Sequence, residues 1–461
     1  MSYEHPMKQP PAYAKAQEFC AAFGIRLLVA GQPLPAGRRG SFESDPARDF
    51  GGLYERQPGL VFCPQTLEQA QAVLRFLYSE SIDYKLRGAA HSPSGEVLSE
   101  GGAVVDVSGL RQSARSTPGD GVHVSGGTPW GELCDQLLVI GRAPRVLTDN
   151  PYSTVAGTLS VGGFGDSSHR FGLQIDSVHA ATLLLPTGDL CRVERQDELL
   201  QYALAGHGQL GLLADVRLSL WPRSARLHAC LLHFESTAAF VAASIQIIEQ
   251  GRLDFVRARA LETAPYAVTA LVGRYGHALS PETLAGLPYV AGSAPEWLDL
   301  RAQQRKHGRP KWPAFNPALE VVLPLPQGLS LLEELNETAR SLGPSRLPRG
   351  YSLLVLRGRQ TGSPPLAPLP STPFALVVAL RPECSTRSEA EAAQSQLKPW
   401  AHRVVGAGGA IYLCSFPLPP DLVTAQYSSA LSALRSLKQR VDPKGLCNRH
   451  SLFGFDCTST P

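Results

Sequence analysis

A chain of 461 residues is longer than a single hydrophobic core usually serves, so two domains are expected. The net charge is +3 and the basic residues are scattered, which gives no basis for nucleic acid or an anionic membrane as a partner. No run reaches the ~18 consecutive apolar residues of a spanning helix. The polar, proline-bearing stretch Met1 to Pro11 has no apolar signal core, so a cytoplasmic location is expected.

Nine cysteines (Cys20, Cys63, Cys134, Cys191, Cys230, Cys384, Cys414, Cys447 and Cys457) form no Cys-x-x-Cys pair and mostly lie among apolar neighbours. Free thiols in a reducing compartment follow. No cluster of His, Cys and acids has metal-ligand spacing, so no metal is predicted.

Along the chain, the spacing of Ala14, Phe19, Ala22 and Phe23 predicts an N-terminal helix. Gly59 to Cys63 reads as a buried strand stopped by Pro64. Thr66 caps a helix with Ala70, Val73 and Leu77 on one side, and a strand ending at Leu86 follows. This is a β-α-β pattern. Short strands are expected at 102–107 and 122–125, a helix at 129–138, and strand, turn and strand over 178–189. An apolar strand then runs to Trp221, and Pro222 is a plausible boundary.

From Arg226 the alternation lengthens. Strands are expected around 231–235, 253–259, 266–274, 351–357 and 374–380, with a helix over 237–250. The stretch 288–350 is rich in Pro and Gly and yields no assignment, and 364–373 reads as an exposed proline-rich loop. A strand at 410–414 and a helix at 424–441 close the chain. Short strands interleaved with few helices argue for an α+β fold. No Gly-x-Gly-x-x-Gly opens a helix after a first strand, so a nicotinamide-type domain is not indicated.

Two stretches carry the chemistry. In the first, strand residues run into Arg87-Gly88-Ala89-Ala90-His91-Ser92 and on to Glu96. Small residues after a strand let backbone N–H groups approach a ligand. A histidine there serves as base, metal ligand or covalent anchor, although an ordinary turn with a hydrogen-bonded histidine has the same look. The second stretch, from Thr148-Asp149 through Thr154-Val155-Ala156-Gly157-Thr158-Leu159-Ser160 to Phe164-Gly165, is also rich in small residues and opens with an acid.

Together these stretches resemble the flavin-holding loops of the FAD-linked oxidases whose fold is named after vanillyl-alcohol oxidase and p-cresol methylhydroxylase (PCMH), and within them the cytokinin dehydrogenases. Arg48-Asp49-Phe50-Gly51, Val124-Ser125-Gly126-Gly127 with Trp130, Gly208-Gln209-x-Gly211 and Asp442-Pro443-Lys444 extend the resemblance. It is strongest over 47–222 and weak in the middle third.

The resemblance implies a two-part FAD-binding domain (1–222, PCMH-type core about 56–222), an inserted substrate domain on an antiparallel sheet flanked by helices (223–410), and a returning C-terminal segment (411–461). It implies FAD attached by one covalent bond to His91, because Tyr152 and Ser153 stand where a second attachment would need cysteine. Gly88, Ala89, Ala90, Ser92, Glu96, Asp149, Thr154, Thr158, Ser160, Phe164, Leu212 and Tyr412 would contact the cofactor.

Ala90 replaces the family's usual glycine, which costs about 1 kcal/mol if φ is positive. Glu96 replaces a glutamine and needs a partner near flavin phosphates. Asp149 matches the catalytic aspartate, placed to take a proton from a substrate nitrogen, with burial expected to raise its pKa. Arg257 stands where relatives carry a glutamate, which suits a carboxylate or phosphate on the substrate.

The implied activity is an FAD-dependent oxidoreductase, oxidase or dehydrogenase, acting on a C–H next to an amine nitrogen in a small molecule. Oxygen or a quinone-like compound would accept the electrons. The alternatives are an oxidase of an alcohol, sugar or biosynthetic intermediate on the same fold, and a flavin-holding protein without turnover.

Overall fold

Three sheets carry the chain. The computed structural model describes residues 12–29, 31–34, 41–117, 120–260, 266–299, 312–341, 351–449 and 451–453. Cys457 and the stretch 1–11 lie outside them.

In the first sheet, Ala103–Asp106 runs parallel to both Leu60–Cys63 and Tyr84–Arg87, and Arg26–Leu28 adds an antiparallel edge. The crossover helix Leu67–Ser79 starts at Thr66, whose side chain accepts from the Gln69 N–H, and it buries Ala70, Val73, Leu74 and Leu77. The two inner strands are buried at every residue, as strands covered on both faces are. The N-terminal helix Tyr13–Phe23 buries Ala16 and Cys20 rather than the face expected, and Phe23 is exposed. Phe19 stacks on Phe76 of the crossover helix instead.

The second sheet has the eleven-residue strand Leu212–Pro222 as its spine. Gly121–Ser125 and Val178–Leu184 flank it antiparallel, with Arg115–Thr117 and Leu190–Glu194 outside them. These two sheets share one core with the helix Pro420–Val441, which contributes Tyr427, Leu431, Leu434 and Leu437.

The third sheet is antiparallel, with central strands Arg226–Phe234, Val268–Tyr275, Phe255–Ala260, Ser352–Arg357, Phe374–Leu380 and Leu319–Pro324. Period-two alternation gives it two faces. Val256, Ala258, Leu353 and Val378 point to a second core with Phe240, Leu332 and Leu397 of the helices Thr237–Gln250, Gly328–Ser341 and Arg387–Gly406. The opposite face turns towards the first two sheets.

Three expectations are corrected. Ala410–Cys414 was placed with the returning segment, but it pairs with Leu319–Pro324 at the edge of the third sheet, and the chain rejoins the first core only through the following helix. The proline-rich loop 364–373 is largely buried, not exposed. Leu366, Ala367 and Leu369 sit in the first core, and the Arg359 guanidinium satisfies the carbonyls of Pro364, Pro365 and Ala367. The helix Arg387–Gly406 was not anticipated, although Thr386 caps it by accepting from the Glu389 N–H; Pro399 lies inside it and blurs its pattern.

Arg87 fastens the segment before the first sheet onto it. Fully buried, it donates to the carbonyls of Phe42, Asp45 and Arg48 at 2.7, 3.0 and 2.8 Å. Asp49, also fully buried, accepts from the Gly95 and Gly52 N–H groups, at 2.7 Å for the first. Arg87→Met strands the buried Phe42 carbonyl, at about 1–3 kcal/mol, and removes two part-buried bonds to Asp45 and Arg48. We expect urea unfolding to show a loss of at least about 2 kcal/mol; a loss within error would mean that water replaces the guanidinium.

Candidate functional site

The Tyr84–Arg87 strand delivers its following loop to the gap between the first two sheets and the open face of the third. A cavity of about 660 Å³ lies there, within the ~300–1,000 Å³ typical of small-molecule sites. Every residue singled out from the sequence lines it: Gly88, Ala89, Ala90, His91, Ser92 and Glu96 of the first stretch; Asp149, Thr154, Thr158, Ser160 and Phe164 of the second; and Leu212, Arg257 and Tyr412.

Ala90 has φ of +58°, the left-handed conformation that makes alanine costly. Its carbonyl accepts from the Phe50 N–H, and its methyl packs with Phe42 and Phe50. The His91 ring sits in an aromatic box of Phe42, Phe50 and Trp312, with centroids 5.3, 5.8 and 6.0 Å away. Its Nε2 lies 3.7 Å from the carboxylate of buried Glu43. The Ser92 hydroxyl is buried without a hydrogen-bond partner among the described residues. Gly88 packs so close to the second loop that a Cβ would sit 2.5 Å from Thr154 Oγ1.

The second loop leads into the short helix Val155–Leu159. Thr154 caps it by accepting from the Gly157 N–H, Thr158 accepts from Trp130 Nε1 at 2.6 Å, and the Ser160 hydroxyl bonds the Ala156 carbonyl. These side chains therefore shape the backbone and leave it as the wall. Phe164 packs edge-on against Tyr412 of the third sheet, centroids 4.3 Å apart. Burial pushes the Tyr412 hydroxyl up in pKa, and backbone N–H groups of Gly163 and Phe164 hold it.

Glu96 has the partner it needs. It lies 3.3 Å from His207 Nδ1. Burial pushes its carboxyl up, but His207 and then Lys85 outweigh this and hold it below the usual value.

Arg257 is not an open anion clamp. Its Nε and Nη2 form a fork on Asp166, at 3.0 and 2.6 Å, and Nη2 also reaches Asp149 at 2.7 Å. Two carboxylates answer its charge, and together they hold the guanidinium protonated against the opposing effect of burial. Asp149 is not buried as expected: its side chain is 68 % exposed. The rest of its loop closes on Asn150, which accepts from Thr148 and Ser153, so Arg257 is what fixes the carboxylate. Asp166 was missed. Burial pushes its carboxyl up to about 6, with Arg257 opposing and Asp149 adding to the rise. The glycine-rich run ending at Gly165 was the available signal, since an acid directly after such a run lands on the same wall.

Also missed were Trp312, from the unassigned stretch, and the Glu320–Arg381 ion pair on the third sheet. Asn448 was missed as well. Its side chain accepts from the Leu86 N–H and donates to the carbonyls of His207 and Gly208. Among the described residues no group of His, Cys, Asp and Glu has metal-holding geometry, and no helix is long and apolar enough to cross a membrane. Cys20, Cys191, Cys230, Cys414 and Cys447 are free thiols.

Comparison with known proteins places this geometry. Residues 58–194 match the family model described as FAD binding domain. An uncharacterized oxidoreductase, ORF5 of the fasciation locus of Rhodococcoides fascians, is 26 % identical over 88 % of this chain and 96 % of its own length. Cytokinin dehydrogenase 7 of Oryza sativa subsp. japonica is 29 % identical over 52 % of this chain, and cytokinin dehydrogenase 6 of the same plant 32 % identical over 42 %. The chain spans 50 % and 39 % of the length of these two. The crystal structure of 6-hydroxy-D-nicotine oxidase from Arthrobacter nicotinovorans superimposes with a TM-score of 0.67 at 19 % identity, covering 92 % of this chain and 98 % of that one, which shows a shared fold. Residues 58–194 thus form an FAD-binding domain of the PCMH type, and the chain has homologues named oxidoreductase and cytokinin dehydrogenase.

Proposed function

We propose that this chain oxidises a small-molecule amine, removing hydride from a C–H next to nitrogen, with FAD carried covalently on His91 and Asp149 as the base. The observation that carries this reading is the placement of Asp149. Its carboxylate projects into the cavity that the His91 loop also lines, held by one oxygen to Arg257.

The cavity residues fit FAD. The loop 88–92 offers small residues and a buried, unsatisfied Ser92 hydroxyl, and the close Gly88–Thr154 packing leaves bare backbone facing the cavity. Bound FAD would supply the two-electron acceptor. Asp149 Oδ1 accepts from Arg257, which leaves Oδ2 to orient the substrate N–H and take its proton as the C–H electrons depart. The substrate leaves as a C=N product, and the electrons pass to oxygen or a quinone-like acceptor. Asp166 and Arg257 position the base and do not touch the reacting bond. Cytokinins are the substrates named by homologues, but Arg257 replaces the acid that the family places at this position, so the substrate differs at that end.

His91→Ala should leave flavin that is released to the supernatant on acid precipitation, whereas wild-type colour stays with the pellet. Colour retained by the variant defeats the attachment. Asp149→Asn should slow anaerobic flavin reduction by an amine by ~10²–10⁴; unchanged kinetics removes it as base, and turnover of polyols in place of amines favours the alcohol reading.

With its pKa raised to about 6, Asp166 takes up a proton as pH falls through that value and loses its ion pair with Arg257. The charged groups facing it are Arg257, Asp149 and Arg223. Reduction should therefore slow below pH about 6, and Asp166→Asn should be slow throughout and lack that inflection. An inflection that persists in the variant assigns it elsewhere.

A further inference from the structure

The charges on the third sheet's cavity face do not cancel evenly. Three arginines line the cavity from this sheet and the residue after its strand: Arg257, Arg259 and Arg381. Arg257 is answered by Asp149 and Asp166, and Arg381 by buried Glu320. Arg259 makes no ion pair or side-chain hydrogen bond among the described residues, and it is exposed to the cavity.

The strand pattern fixes which way it points. In Phe255–Ala260, Val256, Ala258 and Ala260 belong to the second core, so Arg257 and Arg259 take the opposite face. Residues paired across strands share a face. Arg259 stands opposite Ser352, Ser352 opposite Ala379, and Ala379 opposite Glu320. The neighbouring level carries Leu354 opposite Val377. The wall is thus an apolar level next to a polar one, and the polar level holds a guanidinium beside a hydroxyl that also lacks a partner among the described residues. Glu383, the remaining acid on this wall, lies four residues beyond Ala379 along the chain and makes no ion pair with Arg259.

We propose that Arg259, with Ser352 beside it, is an anion subsite, and that the amine oxidised here carries a carboxylate remote from the reacting C–N bond. This rests on the amine-oxidising reading above. A guanidinium and a hydroxyl match one planar monoanion. A phosphate dianion would leave one charge unanswered, because the other two arginines already have carboxylate partners.

The test uses the FAD-loaded protein, kept anaerobic, with two probes: 4-(methylaminomethyl)benzoate, whose carboxylate lies across the ring from the benzylic C–N bond, and its primary amide. Calorimetry should show the acid bound more tightly than the amide by about 10- to 100-fold, the range of a charge-assisted hydrogen bond. Arg259→Gln should erase that preference with the amide constant unchanged, Arg259→Lys should restore part of it, and Ser352→Ala should reduce it less. An equal affinity for both probes in wild type, failure to bind either, or a preference that survives Arg259→Gln would overturn the subsite. Flavin reduction by the same probes is read in parallel. A carboxylate preference in binding with no reduction by either probe keeps the subsite and counts against the amine reading. Reduction by both without preference does the reverse.

Discussion

The site depends on one guanidinium held between two carboxylates that come from elsewhere in the fold. Arg257 belongs to the third sheet, and Asp149 and Asp166 belong to the loops of the FAD-binding domain. A planar fork satisfied on two sides sets distance and angle together, which a lysine would not do. The arrangement ties the third sheet to the loop that carries Asp149, the proposed base. The carboxylate of an exposed loop aspartate is thereby placed without being buried. Loops carry chemistry best when a scaffold positions them, and here the scaffold reaches across from the facing sheet.

A second tie acts at the other end of the cavity. The buried Arg87 and Asp49 hold the 41–52 segment against the His91 loop, and that segment brings Phe42, Glu43 and Phe50 around the imidazole. Ala90 illustrates the balance of forces. Its left-handed backbone is unfavourable, but its methyl packs with Phe42 and Phe50 and its carbonyl is bonded to Phe50, so docking of the segment offsets the strain. Glu96 follows the same logic, its charge answered by His207 from a distant turn.

Much of this was legible from the chain. The β-α-β start and the Thr66 cap follow from local residue chemistry, whereas the flavin reading of the two loops and the conditional strain at Ala90 come from the resemblance to a known family. What was not legible depended on partners distant in sequence. Arg257 reads alone as an anion clamp, because nothing near it announces Asp149 and Asp166, about a hundred residues earlier. The 364–373 loop reads as exposed because prolines punctuate surfaces, yet Leu366 and Leu369 find a core and Arg359 answers the carbonyls. The strand 410–414 has no signal for which sheet it joins, since apolar alternation names a face and not a neighbour.

The Tyr84–Arg87 strand meets the far end of the chain. Tyr84 pairs with Cys447 and donates to the Leu446 carbonyl, Asn448 accepts from Leu86, and Lys85 reaches the Arg449 carbonyl. The strand that presents His91 is therefore completed by residues some 360 positions later. Such a pairing closes a loop of some 360 residues, whose entropic cost is met only by the contacts made once it has closed. During synthesis the edge of this strand stays uncovered until residues 446–449 have emerged. The cavity wall built by residues 88–92 is therefore braced only when residues 446–449 have docked on the strand that leads into it.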